Sequence, residues 1–399
     1  MRCESAHRGA GRIRSRAGIL PRITGAIGRL SGRLGDISGF CPPSVIKLYV
    51  TNRCNARCLM CDLGRRDESS TFYRQASVGT PEMPVSLCWR LAEEFASFRP
   101  RIQVCGVEPL LHGDIGGVIQ EFATRGLETH LVTNGILLLA RAPALARSGL
   151  TSLVVSLDGV GEMHDAVRGT GIYDQVIEGL RRFHEERRQD ERGGPGVVVS
   201  FCITPLNQGE VVKLAERILT DKLAERLSVT HMYFVSEEAG QAHSRDYGHI
   251  GMSSRVNVGG VDPISMDVDA LAHELSVLRR RFPSDRVTLT PRIATRESLA
   301  HYYRDPDRPM RGSRCLVPWF SSTILTDGSV VVHNRCFPYL TGNVTTAPFL
   351  TVWRGDRMKT FRRELRRVGL FPACYRCCGA FPPSYQDPGN GRSKRRWIR

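Results

Sequence analysis

Three cysteines stand close together in Thr51-Asn52-Arg53-Cys54-Asn55-Ala56-Arg57-Cys58-Leu59-Met60-Cys61, at a C-x3-C-x2-C spacing. Thiolate is the usual protein ligand of iron–sulfur clusters, so three thiolates on one loop can hold three irons of a [4Fe–4S] cluster. The fourth iron is left without a protein ligand. It can then bind a small molecule and pass it an electron. A second set lies toward the other end of the chain: Cys315, Cys336 and the run Cys374-Tyr375-Arg376-Cys377-Cys378. These fit an iron–sulfur cluster or, through their C-x2-C pair, a structural zinc site.

The elements that must present these residues alternate strand and helix. Residues 45–50 read as a strand, and the first cysteine loop follows directly. A helix is expected over 84–98, with Pro84 a favourable first-turn residue. Strands at 102–105, 129–133, 152–156, 197–204 and 228–235 then alternate with helices at 115–125, 137–148, 173–188 and 210–222. Six such units imply α/β architecture with a parallel sheet, whose chemistry sits at the C-terminal ends of the strands. Residues 236–266 lack clear periodicity and suit a substrate lid or a plain insertion. An amphipathic helix follows at 267–281, and Asp327-Gly328 marks a hairpin turn.

The loops after the strands carry recognisable segments. These are Gly106-Val107-Glu108-Pro109, Thr133-Asn134-Gly135, Val155-Ser156-Leu157-Asp158-Gly159 and His164-Asp165-Ala166-Val167-Arg168-Gly169. Together with the cysteine loop, in this order, they resemble the radical S-adenosylmethionine (SAM) superfamily. Met60 stands where that family usually has an aromatic residue, and Val107 where it has a second glycine. The resemblance implies a partial (β/α)6 TIM-like barrel with SAM bound to the open iron of a [4Fe–4S] cluster on Cys54, Cys58 and Cys61. Reductive cleavage of SAM would yield a 5′-deoxyadenosyl radical that abstracts a substrate hydrogen. Gly106 and Glu108 would meet the SAM amine, and Thr133 and Asn134 complete a frequent signature beside it. Ser156 and Asp158 would face the ribose. Arg168 would reach the SAM carboxylate, a task that suits the two parallel donors of a guanidinium.

The C-terminal cysteines, with Gly342-Asn343-Val344 and Trp353 downstream, resemble the SPASM or twitch extension of one branch of that family. The extension implies a smaller cysteine-rich iron–sulfur domain. With five cysteines available, the economical reading is one auxiliary [4Fe–4S] cluster on Cys315, Cys336, Cys374 and Cys377, with Cys378 spare or exchanging with Cys377. The expected organisation is a basic extension at 1–43, the barrel core at 44–236, a connecting or lid segment at 237–309, the auxiliary domain at 310–385 and a basic tail at 386–399.

The net charge of +16 is unevenly spread. Residues 1–40 contribute +6 and residues 385–399 contribute +4, so most of it lies in the two ends. Arg357, Lys359, Arg362, Arg363, Arg366, Arg367 and Arg376 read as one basic helix with a solvated face. Thirteen cysteines without a secretory signal suit a reducing, cytoplasmic setting. No run of about 18 apolar residues indicates a membrane span.

The resemblance implies a flavodoxin- or ferredoxin-like electron donor. The favoured substrate is a small polar metabolite, sugar or aminocyclitol-like, undergoing oxidation or epimerisation. A peptide or protein side chain is the alternative, though about 44 residues before the first strand are few for a peptide-recognition module. An RNA substrate, which the basic ends would serve, comes third. Cys88 and Cys105 read as core residues. Cys202, on the fifth strand, is either buried structure or a hydrogen-atom donor facing the barrel interior.

Overall fold

The computed structural model describes residues 41–77, 79–169, 171–189, 194–332 and 335–381. The basic tail expected at 386–399, and nearly all of the extension expected at 1–43, lie outside them. Ten strands form one sheet: β1 Val45–Tyr49, β2 Arg101–Cys105, β3 Thr129–Thr133, β4 Ser152–Ser156, β5 Gly196–Ile203, β6 Arg226–His231, β7 Val287–Thr290, β8 Ser321–Ile324, β9 Ser329–Val331 and β10 Leu340–Asn343. Their order is β10-β9-β8-β1-β2-β3-β4-β5-β6-β7. From β8 through β7 every pairing is parallel, whereas β9 and β10 are antiparallel. Crossover helices join the parallel strands, among them Val85–Phe95, Ile115–Thr124, Leu138–Arg147, Ile172–Arg188 and Val211–Thr220.

The six expected strands are all present, but the sheet runs further. β7 lies inside the segment expected to connect domains, and β8 joins the auxiliary region to the barrel by pairing Val45 with Ser321. Both strands are four residues long and rich in hydroxyls, VTLT and SSTI, so neither shows an apolar run. Their pairing is set by distant neighbours. The aperiodic stretch also contains a helix, Glu237–Tyr247, capped by Ser236 Oγ on Ala239 N.

Burial along the strands tells which face is which. In β5, Val197, Val199, Phe201 and Ile203 are almost fully buried against the helices. Each such side chain contributes about 2 kcal/mol by leaving water. Val198, Ser200 and Cys202 alternate with them and stay partly accessible. The same holds for Lys47 between Ile46 and Leu48, and for Gln103 between Ile102 and Val104. A filled barrel packs its inward side chains; this one keeps a polar interior open. Ser156, Ser200, Ser228 and Thr288 lie abreast on successive strands, as do Cys202, Thr230 and Thr290.

The expected basic helix is Asp356–Val368, but Arg376 is not part of it. Arg376 is 2% exposed and donates to the carbonyls of His301 and Tyr302 in the helix Arg296–Arg304, and of Asp305, Arg308 and Tyr375 beyond. Helix C-termini present unsatisfied carbonyls, and a guanidinium satisfies several at once. Arg362 is likewise buried, over the Trp353 ring. Among the described residues no helix is long and apolar enough to cross a membrane.

Candidate active site

The cysteine loop leaves β1 and turns back toward the residues that follow β4. Leu59 N donates to Val167 O at 3.0 Å, and Cys61 N to Cys58 O at 3.2 Å. Cys54 Sγ accepts from Ala56 N at 3.4 Å and faces Asn134 Nδ2 at 3.9 Å. Cys58 Sγ lies 3.8 Å from Arg168 Nη1. Burial pushes the Cys54 thiol up to about 11 and the Cys58 thiol up to about 12, and the neighbouring cysteines push in the same direction. Thiols gathered where each opposes the ionisation of the next are matched to a cationic iron centre, which supplies the missing positive charge.

The segment expected as a lid clasps this loop from outside. Asp62, just past Cys61, accepts from Ser70 Oγ at 2.5 Å and from Asn257 N at 2.8 Å. Thr71 N donates to Ser254 Oγ at 2.7 Å. A Cβ on Gly260 would stand 2.3 Å from Leu59 O, so the double glycine lets the two backbones touch.

Glu108, after β2, is 1% exposed. Its Oε1 accepts from Thr133 Oγ1 at 2.7 Å and Leu110 N at 3.0 Å, and its Oε2 from Asn134 N at 2.7 Å. A carboxylate has about four acceptor positions, so room remains for one further donor. Thr133 is thereby an orienter of Glu108. Asn134 turns its amide to Asn55 Oδ1 at 2.9 Å, steadying the cysteine loop. Gly106 has φ +121°, and a Cβ there would lie 2.6 Å from the Tyr49 ring.

At the ends of β4 and β5 a second chain of contacts forms. Arg168 Nε donates to Asp158 Oδ2 at 2.6 Å, and Cys202 N donates to Asp158 Oδ1 at 2.7 Å. Asn207 Nδ2 bridges the carbonyls of Asp158 and Cys202, and Asp158 N donates to His164 Nδ1. Asp158 is wholly buried and both its oxygens are engaged. Ser156, on the inward face of β4, is partly accessible. Cys202 also faces inward, and burial pushes its thiol well above the usual range, with Asp158 adding to the effect.

Cys315, Cys336, Cys374 and Cys377 line one apolar cavity of about 30 Å³ with Val317, Phe337, Phe361 and Phe371. Cys378 does not line it, although its side chain meets Cys377 and its charge reaches Cys315 as well as Arg335 and Tyr302. Among the described residues no group of three or more His, Cys, Asp or Glu is arranged to hold a single metal ion.

Other residues at the mouth of the interior carry no sequence motif. Asn207 is one. Arg335 is another: it rests between the rings of Phe72, at 5.2 Å, and Tyr233, at 4.4 Å. Its position next to Cys336 was its one signal. Lys47 was hidden as an alternating polar residue in β1. Cys105, read as core, turns inward at the end of β2, within the electrostatic reach of both Lys47 and Arg335.

Residues 48–218 match the radical SAM superfamily, and residues 315–378 match the SPASM iron–sulfur cluster-binding domain. The chain is 26% identical over 215 residues to pre-heme d1 synthase of Dinoroseobacter shibae, covering 51% of this chain and 49% of that protein. It is 34% identical over 138 residues to GTP 3′,8-cyclase of Marinobacter nauticus, covering 34% and 39%. It thus spans less than half the length of these curated relatives. Among solved structures, Streptococcus suis SuiB bound to S-adenosylmethionine aligns with a TM-score of 0.55 at 16% identity, over 81% of this chain and 68% of that one. Native anSMEcpe with bound AdoMet aligns at 0.56 and 15%, over 86% and 92%. These likenesses establish the fold. The chain therefore carries a radical SAM superfamily domain followed by a C-terminal SPASM domain, and these domains imply a [4Fe–4S] cluster with S-adenosylmethionine and auxiliary iron–sulfur.

Proposed function

We propose that this enzyme takes a hydrogen atom from carbon on a small polar metabolite and returns one from Cys202, inverting the reacting carbon. Cys54, Cys58 and Cys61 would hold the first cluster. Glu108 has an acceptor position for the SAM amine, Ser156 a hydroxyl for the ribose, and Arg168 a guanidinium edge beyond its bond to Asp158. Cys315, Cys336, Cys374 and Cys377 would hold one auxiliary cluster. When bound, the first cluster and SAM supply a strong acceptor of hydrogen atoms, with the electron coming from a flavodoxin- or ferredoxin-like donor.

The observation that carries this reading is the line from Cys58 through Arg168 and Asp158 to Cys202. It fixes the backbone of Cys202, whose side chain faces inward, beside the first cluster's loop. Burial keeps that thiol protonated, so it holds an S–H hydrogen to give. In the step, a substrate C–H bond breaks, and a new C–H bond then forms on the opposite face with the Cys202 hydrogen. The sulfur left as a thiyl radical regains one electron from the external reductant and one proton from solvent. Inward hydroxyls of Ser156, Ser200, Ser228 and Thr230 suit a polyol. The names of two relatives, for GTP and pre-heme d1, favour small molecules over peptides.

Anaerobic turnover of candidate metabolites in D2O tests the reading. Inverted product is expected to carry one deuterium at the reacting carbon, and Cys202→Ala to give none. Unchanged inversion by Cys202→Ala removes the hydrogen-donor role. An oxidised product from both proteins shifts the outcome to dehydrogenation.

A further inference from the structure

The interior mouth holds two cations that the reaction scheme above does not use. Arg335 comes from the loop between β9 and β10, yet its guanidinium lies between a ring beyond the first cysteine loop, Phe72, and a ring beyond β6, Tyr233. Its charge reaches Cys61, Cys105 and Cys202, on three sides of the barrel. Lys47 projects inward from β1 and shares Cys105 as a neighbour. Among the described residues neither cation has a carboxylate within ion-pair distance. The two buried acids nearby are committed, Asp158 to Arg168 and Glu108 to Thr133, Leu110 and Asn134. A desolvated guanidinium without an anion is costly. Aromatic faces offset part of that cost and leave its donor edge open.

We propose that Arg335, assisted by Lys47, binds an oxyanion of the substrate, a carboxylate or a phosphate, between the two cysteine sites. The proposal rests on the small-metabolite reading and narrows it to an anionic molecule, which disfavours a cationic aminocyclitol. A guanidinium presents two parallel donors to either group, and the aromatic clamp sets the plane of the fork. The substrate would thus be held at its anionic end, with its carbon presented toward Cys202.

The test uses the anaerobically reconstituted enzyme with SAM, titrated with inorganic phosphate or with malonate at constant ionic strength set by chloride. Thermal shift and calorimetry are the readouts. One of the two anions is expected to bind above the chloride background, which assigns phosphate or carboxylate. Arg335→Gln is expected to weaken that binding at least tenfold, with Arg335→Lys and Lys47→Gln in between. SAM cleavage to deoxyadenosine without substrate is expected to persist in all three, which separates this proposal from the reading beneath it. If Arg335→Gln fails to fold, Arg335→Lys and Lys47→Gln decide. No anion-specific binding in the wild type, or equal binding by the variants, overturns the proposal. So does loss of iron with anion binding intact, which makes Arg335 a counter-ion of the clusters.

Discussion

Arg168 and Asp158 form a buried ion pair, 2.6 Å from Nε to Oδ2, with side chains 12% and 0% exposed. It joins the helix after β4 to the strand end and leans on Cys58 through Nη1. Removing one partner leaves a buried charge alone, which costs about 3–5 kcal/mol. Asp158→Ala is therefore expected to destabilise by that amount in denaturant titrations. Asp158→Ala with Arg168→Met should recover part of the loss. A double variant as unstable as the sum of the two singles would show that the pair is not coupled.

Gly106 and Gly171 both have positive φ, +121° and +72°, but differ in space. A Cβ at Gly106 meets the Tyr49 ring at 2.6 Å, while at Gly171 it meets nothing within 4 Å. Gly171→Ala is expected to cost about 1 kcal/mol from backbone strain alone. Gly106→Ala should cost about 2 kcal/mol or more and disturb the Glu108 turn. Equal thermal shifts for the two would remove the steric argument.

The segments carrying Glu108, Asp158 and Arg168 were legible because each lies after a strand whose outward face is an apolar alternation, whereas Thr133 closes β3 and shares its buried face with Thr129 and Leu131. What that alternation hides is the other face. Lys47, Ser200 and Cys105 read as interruptions of a pattern, although they are what the interior presents. β7 and β8 were missed because four hydroxyl-rich residues become a strand through pairing with β6 and β1. The helix Glu237–Tyr247 was missed because EEAGQAHSRDY has hardly an apolar stripe. Arg376 was placed on the wrong element because charge spacing cannot tell a solvated arginine from one turned onto a distant helix end.

The two cysteine sets are expected to load independently. Replacing Cys54, Cys58 and Cys61 together should abolish deoxyadenosine formation and leave the iron and sulfide of the auxiliary centre. Cys377, buried at 8% exposure and lining the cavity, should matter more than Cys378, which lies outside its lining. Cys377→Ser is expected to lower iron by about one cluster, and Cys378→Ser to change it little. The reverse result would exchange the two cysteines.

His164 and His243 are fully buried, and burial pushes both down to about 4. Unfolded, each titrates near 6.5. The unfolded chain therefore binds protons that the folded one refuses, so stability is full above about pH 6.5 and falls as pH drops toward 4. Each histidine adds a slope approaching about 1.4 kcal/mol per pH unit in that window. His243 stacks on Phe337 at 4.2 Å, which makes His243→Phe a suitable probe. It should flatten the acid limb by about one proton in urea titrations, and an unchanged limb would place the proton uptake elsewhere.

Arg376 and Arg363 lie in one charge cluster of the sequence but differ in role. Arg376 is buried, stacks 5.3 Å from the Tyr302 ring and hydrogen-bonds five carbonyls, whereas Arg363 is exposed and bonds Thr360 Oγ1 at 3.3 Å. Arg376→Met removes every donor at once and leaves carbonyls at a helix end unpaired, each worth about 1 kcal/mol or more. A loss of about 3–5 kcal/mol is expected, against about 0.5 kcal/mol for Arg363→Met. Because Arg376 stands between Cys374 and Cys377, its loss should also loosen that run from the helix Arg296–Arg304. Iron analysis should then show the auxiliary centre depleted before the first cluster. Equal retention of both would mean that the cavity holds its four cysteines without this anchor.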